Sequence, residues 1–132
     1  MRVSLGINPH MKSYGITIIR LGMAGVLLWF GAQQLLHSEN WVGYVPEYVT
    51  SLSGLSVQTV VLANGATEIA FGLMLFLGLF TRIVAFLMGV HLALIAFSLG
   101  HTAVAVRDWG LAVALFGLLF TGGGALGFDQ DN

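Results

Sequence analysis

Four long apolar blocks, separated by short polar stretches, dominate the chain at residues 15–36, 58–80, 83–100 and 109–125. Each falls within the roughly 17–25 residues that a helix needs to cross about 30 Å of hydrocarbon. The pattern predicts an all-α, integral membrane four-helix bundle built as a single domain over residues 1–132. The one substantial connection, residues 38–56, carries its own pattern. Val42, Val45, Val49 and Leu52 recur at helical spacing, Pro46 suits a helix start, and Gly54 suits its end. A short interfacial or re-entrant helix between the first two spans follows, with an ordinary extramembrane loop as the alternative. Trp41, Tyr44 and Tyr48 are the aromatics a headgroup boundary favours.

Composition sharpens this picture. Of 132 residues, 57% are hydrophobic and only 8% are charged, against about 25% charged in soluble domains. Membrane lipids are therefore the first expected partner. A net charge of -1 gives nucleic acid no footing. The absence of cysteine removes disulfides, thiolate metal sites and iron–sulfur clusters carried by this chain. The first fourteen residues are polar and mixed, so no cleavable leader is expected. The N-terminal tail with Arg2, Lys12 and the turn at Arg82 would share one side, while Arg107 lies on the other. That distribution predicts a multi-pass protein of a prokaryotic inner membrane with both termini cytoplasmic.

The polar residues inside the spans carry whatever chemistry there is. Glu68 stands within the second span, where an ionisable group is costly and turns to the bundle interior. Asn64, four residues earlier, shares its helix face and can reach its carboxyl group. Counting rise from Arg82 places Glu68 in the outer half and His91 near the midplane. At that depth Arg107 and Asp108 are nearer to Glu68 than Arg20 is. Arg20 is either a snorkelling anchor or a buried cation paired with a carboxylate. His91 is a ligand, a proton relay or a hydrogen-bonded structural group, and without a second His at matching depth no metal site is expected. Gly15, Gly22, Gly25 and Gly31 on the first span, Ala63, Ala66, Ala70 and Gly72 around Glu68, and Ala85, Gly89 and Ala93 on the third provide small faces for helix contact. Gln33, Gln34 and His37 close the first span at the surface. Gly122-Gly123-Gly124 is helix termination, since no Lys-Ser or strand flanks it.

Arg20, Asn64, Glu68, His91, Arg107 and Asp108 thus form an intramembrane polar set with two readings. One is a buried network that fixes helix register. The other is a pocket roofed by Trp41, Tyr44 and Tyr48 that binds a quinone or lipid, with Glu68 as the candidate catalytic, proton-exchanging group. A transport role fits poorly, because four short helices leave little room for alternating access.

Arg20-Leu21-Gly22, Phe30-Gly31-Ala32-Gln33-Gln34-Leu35, Glu68 with Gly72, Gly78-Leu79-Phe80-Thr81-Arg82, Arg107-Asp108 and the Gly-rich, Asp-containing tail follow one another in an order that resembles the DoxX family of small four-span membrane proteins. The sequence departs from that pattern at Gln34, where Lys is common. The resemblance implies a four-helix membrane bundle associated with thiosulfate:quinone oxidoreductase subunits and with membrane oxidoreductases of sulfur or oxidative-stress chemistry. It transfers no catalytic residue. The expected role is a subunit of a larger membrane oxidoreductase assembly, helix-packing and quinone-facing, with no covalently bound cofactor and with other membrane subunits or further copies of itself as partners. A quinone-linked oxidoreductase subunit working through Glu68, and a purely structural membrane protein, are the alternatives.

Overall fold

The computed structural model describes residues 8–129. Arg2 of the expected N-terminal tail and Asp131 of the C-terminal one lie outside the described residues. Five helices follow in order: α1 Pro9–Leu36, α2 Glu47–Ser53, α3 Val57–Leu77, α4 Thr81–Leu99 and α5 Ala103–Thr121. Two single 3-10 turns, Ser38–Asn40 and Val42–Tyr44, lead into α2. Apart from α2, the helices are long and apolar enough to cross a membrane.

Local chemistry sets most boundaries. Asn8 caps α1 by accepting from the His10 N–H at 2.9 Å, with Pro9 in the first turn where a missing N–H costs nothing. Ser56 and Thr102 cap α3 and α5 through the N–H groups of Thr59 and Ala105. Pro46 precedes α2, and Gly54 ends it in the left-handed region at φ 72°. The expected helix after Pro46 is therefore present.

Two expectations are corrected. The last span begins at Ala103, not at Trp109, so Arg107-Asp108 is no polar connection but the second turn of α5. Thr102 supplies the cap that lets the helix start early, and charge alone does not stop it. The small-residue faces are also redistributed. A Cβ at Gly15, Gly22 or Gly25 would meet nothing, and Ala63, Ala66 and Ala70 are exposed. The close approach belongs to Gly31 and Gly65, where a Cβ on Gly31 would lie 2.9 Å from the Gly65 carbonyl oxygen. Around Glu68 it is thus Gly65 and Gly72, both buried, that admit α1.

Packing is uneven. α1 lies along α3 and α4 along α5, while the two pairs meet each other far more sparsely. Leu27, Leu75, Met88, Leu92 and Leu115 fill the core between them. Polar residues collect at the two ends of that core. The tail end holds the start of α1 and the chain from Gly122 onward. The loop end holds α2 and its flanking turns.

Candidate functional site

At the tail end, Arg20 is fully buried on the α1 face that also carries Thr17, Ala24 and Leu27. It is the buried cation of the second reading and no snorkelling anchor, but its hydrogen bonds go to main-chain carbonyls and not to a carboxylate. Nε donates to Gly123 O at 2.9 Å, Nη1 to Leu75 O at 2.8 Å and Phe76 O at 2.7 Å, and Nη2 to Leu126 O at 3.0 Å and Ala125 O at 3.3 Å. A guanidinium has five N–H groups, so every one is used. Two of the acceptors are last-turn carbonyls of α3, which carry the negative end of that helix dipole. The others hold the tail against α1. The tail is fastened further by Phe128 N–H to Leu77 O and Asp129 N–H to Gly78 O. The Asp129 carboxylate then accepts from the N–H groups of Phe80 and Thr81, capping α4 from 48 residues away.

At the loop end, Gln34, Asn64, Glu68 and His91 form one hydrogen-bonded chain across α1, α3 and α4. The close approach at Gly31 and Gly65 sets it up, because Gln34 stands one turn beyond Gly31 and can reach α3 only if the backbones nearly touch. Gln34 Nε2 donates to Phe30 O at 3.2 Å and to Glu68 Oε2 at 2.9 Å. Asn64 Nδ2 donates to Gln34 Oε1 at 2.6 Å and to Glu68 Oε1 at 3.3 Å. Asn64 Oδ1 meets His91 Nε2 at 2.6 Å.

The directions follow from a single group. Phe30 O can only accept, so Gln34 must turn its NH₂ toward it and its oxygen toward Asn64. Asn64 must then donate from Nδ2, which leaves Oδ1 to accept, and His91 must carry its proton on Nε2. Both Glu68 oxygens receive N–H donors.

Arg107 and Asp108 complete the end. Arg107 Nη2 lies 2.7 Å and Nε 2.9 Å from Asp108 Oδ1. The guanidinium covers the Phe30 ring at 3.9 Å from its centroid and faces Trp41 at 6.0 Å. Phe30 meets Trp41 edge to face at 5.6 Å between centroids, and Trp41 meets Tyr44 at a tilt, 5.7 Å apart. Arg107 thus gives Nε and Nη2 to Asp108 and its face to the aromatic roof, and the hydrogen bonds that Glu68 accepts come from amides.

Between floor and roof lies a half-open cavity of about 290 Å³. Asn64, Glu68 and His91 line it from below, Arg107 and Asp108 from α5, and Trp41, Tyr44 and Tyr48 from above. Val45 and Val49 turn their apolar side inward, whereas Leu52 points away at 85% exposed. Of the sequence-derived polar set, the cavity therefore gathers all but Arg20. It adds Gln34, which looks like a surface residue at the end of a span. Its place on the same i+3/i+4 stripe as Arg20, Leu27 and Gly31 was the signal that it faces inward. Among the described residues, no group of three His, Asp or Glu is placed to hold a metal ion.

No curated protein and no solved structure matches the chain. The DoxX family model does, over residues 15–101, a stretch that includes Arg20, Gln34, Asn64, Glu68 and His91 but stops before Arg107 and Asp108. With four apolar helices and a family match running from the first span through the third, the chain belongs to the DoxX family.

Proposed function

We propose that this chain is a small membrane subunit of a larger oxidoreductase assembly, and that its loop-end cavity lodges the head of a quinone-like amphiphile. The observation that carries the reading is the cavity itself. A polar floor set inside an apolar bundle, beneath a roof of aromatic rings, suits a ring with polar substituents whose tail runs into lipid. The accessory role is supported by the missing cysteines: an iron–sulfur or dithiol centre working with this chain would be carried by another one. Exposed Phe97 and Phe120 offer apolar surface to lipid, to such a partner or to a second copy. The membrane is a prokaryotic inner membrane with both termini cytoplasmic, because Lys12 and Arg82 share the tail end and Arg107 lies at the other.

Gentle solubilisation followed by mass spectrometry of everything that travels with the chain tests this. A partner bearing flavin, haem or iron–sulfur in fixed ratio, together with extractable quinone, is the expected result. The chain travelling alone and without quinone would overturn it. Since the protein has no cysteine, single cysteines placed at the two ends give a clean labelling test of orientation.

A specific observation favours a second reading, a purely structural polar set. Each amide N–H of Gln34 and Asn64 already has an acceptor inside the bundle. Glu68→Gln separates the two readings. Lost folding favours the structural role, and quinone turnover retained by the assembly would remove Glu68 as its proton-exchanging group.

A further inference from the structure

The roof of the cavity has two parts, held in very different ways. Residues 38–44 are tied to the spans. Ser38 is buried and accepts from Gln58 Nε2 of α3 at 3.3 Å, while Trp41 meets Phe30 of α1 and faces the Arg107 guanidinium of α5. Residues 45–55, with α2 at their centre, have no such ties. Among the described residues their hydrogen bonds run within the segment or back to Val42. Val45 N–H donates to Val42 O, Val49 N–H to Pro46 O and Gly54 N–H to Thr50 O. Thr50 Oγ1 donates to Glu47 O, and Leu55 N–H to Ser53 Oγ. α2 buries none of its residues, yet Val45, Tyr48 and Val49 line the cavity beneath it.

Both ends of the segment can turn. Pro46 is extended and has no N–H with which to fasten itself to the turn before it. Gly54 stands at φ 72°, and glycine passes between left- and right-handed backbone at little cost. Ser56, two residues on, already belongs to α3 as its cap. Element-terminal residues of this kind absorb the backbone change when a lid moves.

Lifting α2 breaks no hydrogen bond to a span. The apolar side chains it would uncover, Val45 and Val49, are only half-buried, and Leu52 and Leu55 on its outer side are exposed already. At a headgroup boundary such side chains move into lipid and not into water, so the hydrophobic effect does little to hold the helix down. Segments with few buried apolar contacts are the ones that open first in a fold.

We propose that residues 45–55 are a lid, hinged at Val45-Pro46 and at Gly54-Leu55. It swings against the fixed roof of residues 38–44 to pass an amphiphile between lipid and cavity, and closes over it through Val45, Tyr48 and Val49. This rests on the reading of the cavity as the site of a quinone-like head and adds how that head enters and leaves.

Spin labels on introduced cysteines read the lid directly, since the chain has none of its own. In the full chain in lipid nanodiscs, Leu52→Cys is paired with Val106→Cys, both exposed and outside the cavity wall. Gly43→Cys with Val106→Cys reports on the fixed roof, where a side chain at Gly43 meets open space. Without ligand, the Leu52 pair is expected to show two distance populations and the Gly43 pair a single narrow one. A short-chain ubiquinone, its binding measured calorimetrically on the same samples, should remove one of the two Leu52 populations and leave the Gly43 pair unchanged. A single narrow Leu52 population that bound ubiquinone does not alter would overturn the lid and leave the quinone-head reading standing. The same single population without ubiquinone binding would overturn both. Two Leu52 populations without ubiquinone binding would support a moving α2 and overturn the quinone-head reading. Equal spread in the Gly43 and Leu52 pairs would overturn the division of the roof and the lid with it.

Discussion

The two ends of this bundle solve the same problem, a charge inside an apolar interior, in opposite ways. At the tail end every hydrogen bond of the cation goes to backbone: five N–H groups of Arg20 against five carbonyls from α3 and the C-terminal tail. At the loop end the carboxylate of Glu68 is met by side-chain amides, and a second carboxylate beside it has an oxygen with no partner. Two of those carbonyls end α3 and three belong to the irregular segment after α5, so at the tail end a side chain ties the last stretch of the chain to the bundle. Side-chain amides and an orphaned acceptor leave a site that can still accept something. The comparison sets a cation tied into backbone against a carboxylate tied into side chains that border a cavity.

The harshest way to break the comparison is Arg20→Leu. It strands five acceptors, at about 1–3 kcal/mol for each that stays buried, and should prevent accumulation of folded protein or lower its unfolding temperature drastically in detergent. Arg20→Lys, with three donors on a single point charge, should recover only part of that loss. Next in size is Gly65→Ala, whose Cβ would lie 2.9 Å from Gln34 Cβ and 3.0 Å from Gly31 O. Forcing α1 and α3 apart should cost about 1–3 kcal/mol and weaken binding in the cavity, measurable together by thermal unfolding and calorimetry.

Gln34→Leu sharpens the contrast from the other side. It leaves Glu68 Oε2 without its amide donor and frees the Asn64 amide, so ligand affinity should change more than stability, which should fall by about 1–2 kcal/mol. If stability collapsed as it does for Arg20→Leu, the loop end would be no less structural than the tail end. The smallest effect belongs to His37→Ala. His37 and Glu39 are 3.9 Å apart with both side chains largely exposed, and pairs of that kind contribute little. No measurable change in unfolding temperature or binding is expected.

The spans and the short helix after Pro46 were legible in the sequence because each rests on local patterns: apolar length, a proline, a glycine. The grouping of Asn64, Glu68, His91, Arg107 and Asp108 was legible from depth along the helices. Three things were hidden, each for a physical reason. The partners of Arg20 are carbonyls, which every residue possesses and no residue type advertises. Gln34 is neutral and stands near a helix end, so only its stripe betrays it. The early start of α5 depends on Thr102 outweighing the charged pair Arg107-Asp108, a competition between a cap and a composition break that hydropathy alone decides wrongly. Arg107 shares the cavity with Glu68 as its depth implied, although its hydrogen bonds go to its immediate neighbour Asp108.

The Arg20 arrangement also fixes an order of events. A chain is made from its N-terminus, so the first span is complete long before the acceptors at Gly123, Ala125 and Leu126, which lie 103 to 106 residues downstream. Leu75 and Phe76 arrive earlier, 55 and 56 residues on. Arg20 is therefore housed in two instalments, first by the end of α3 and last by the tail. Biogenesis of this bundle closes where it began, and a nascent chain cut short of Gly123 carries an arginine whose shelter has not yet been made.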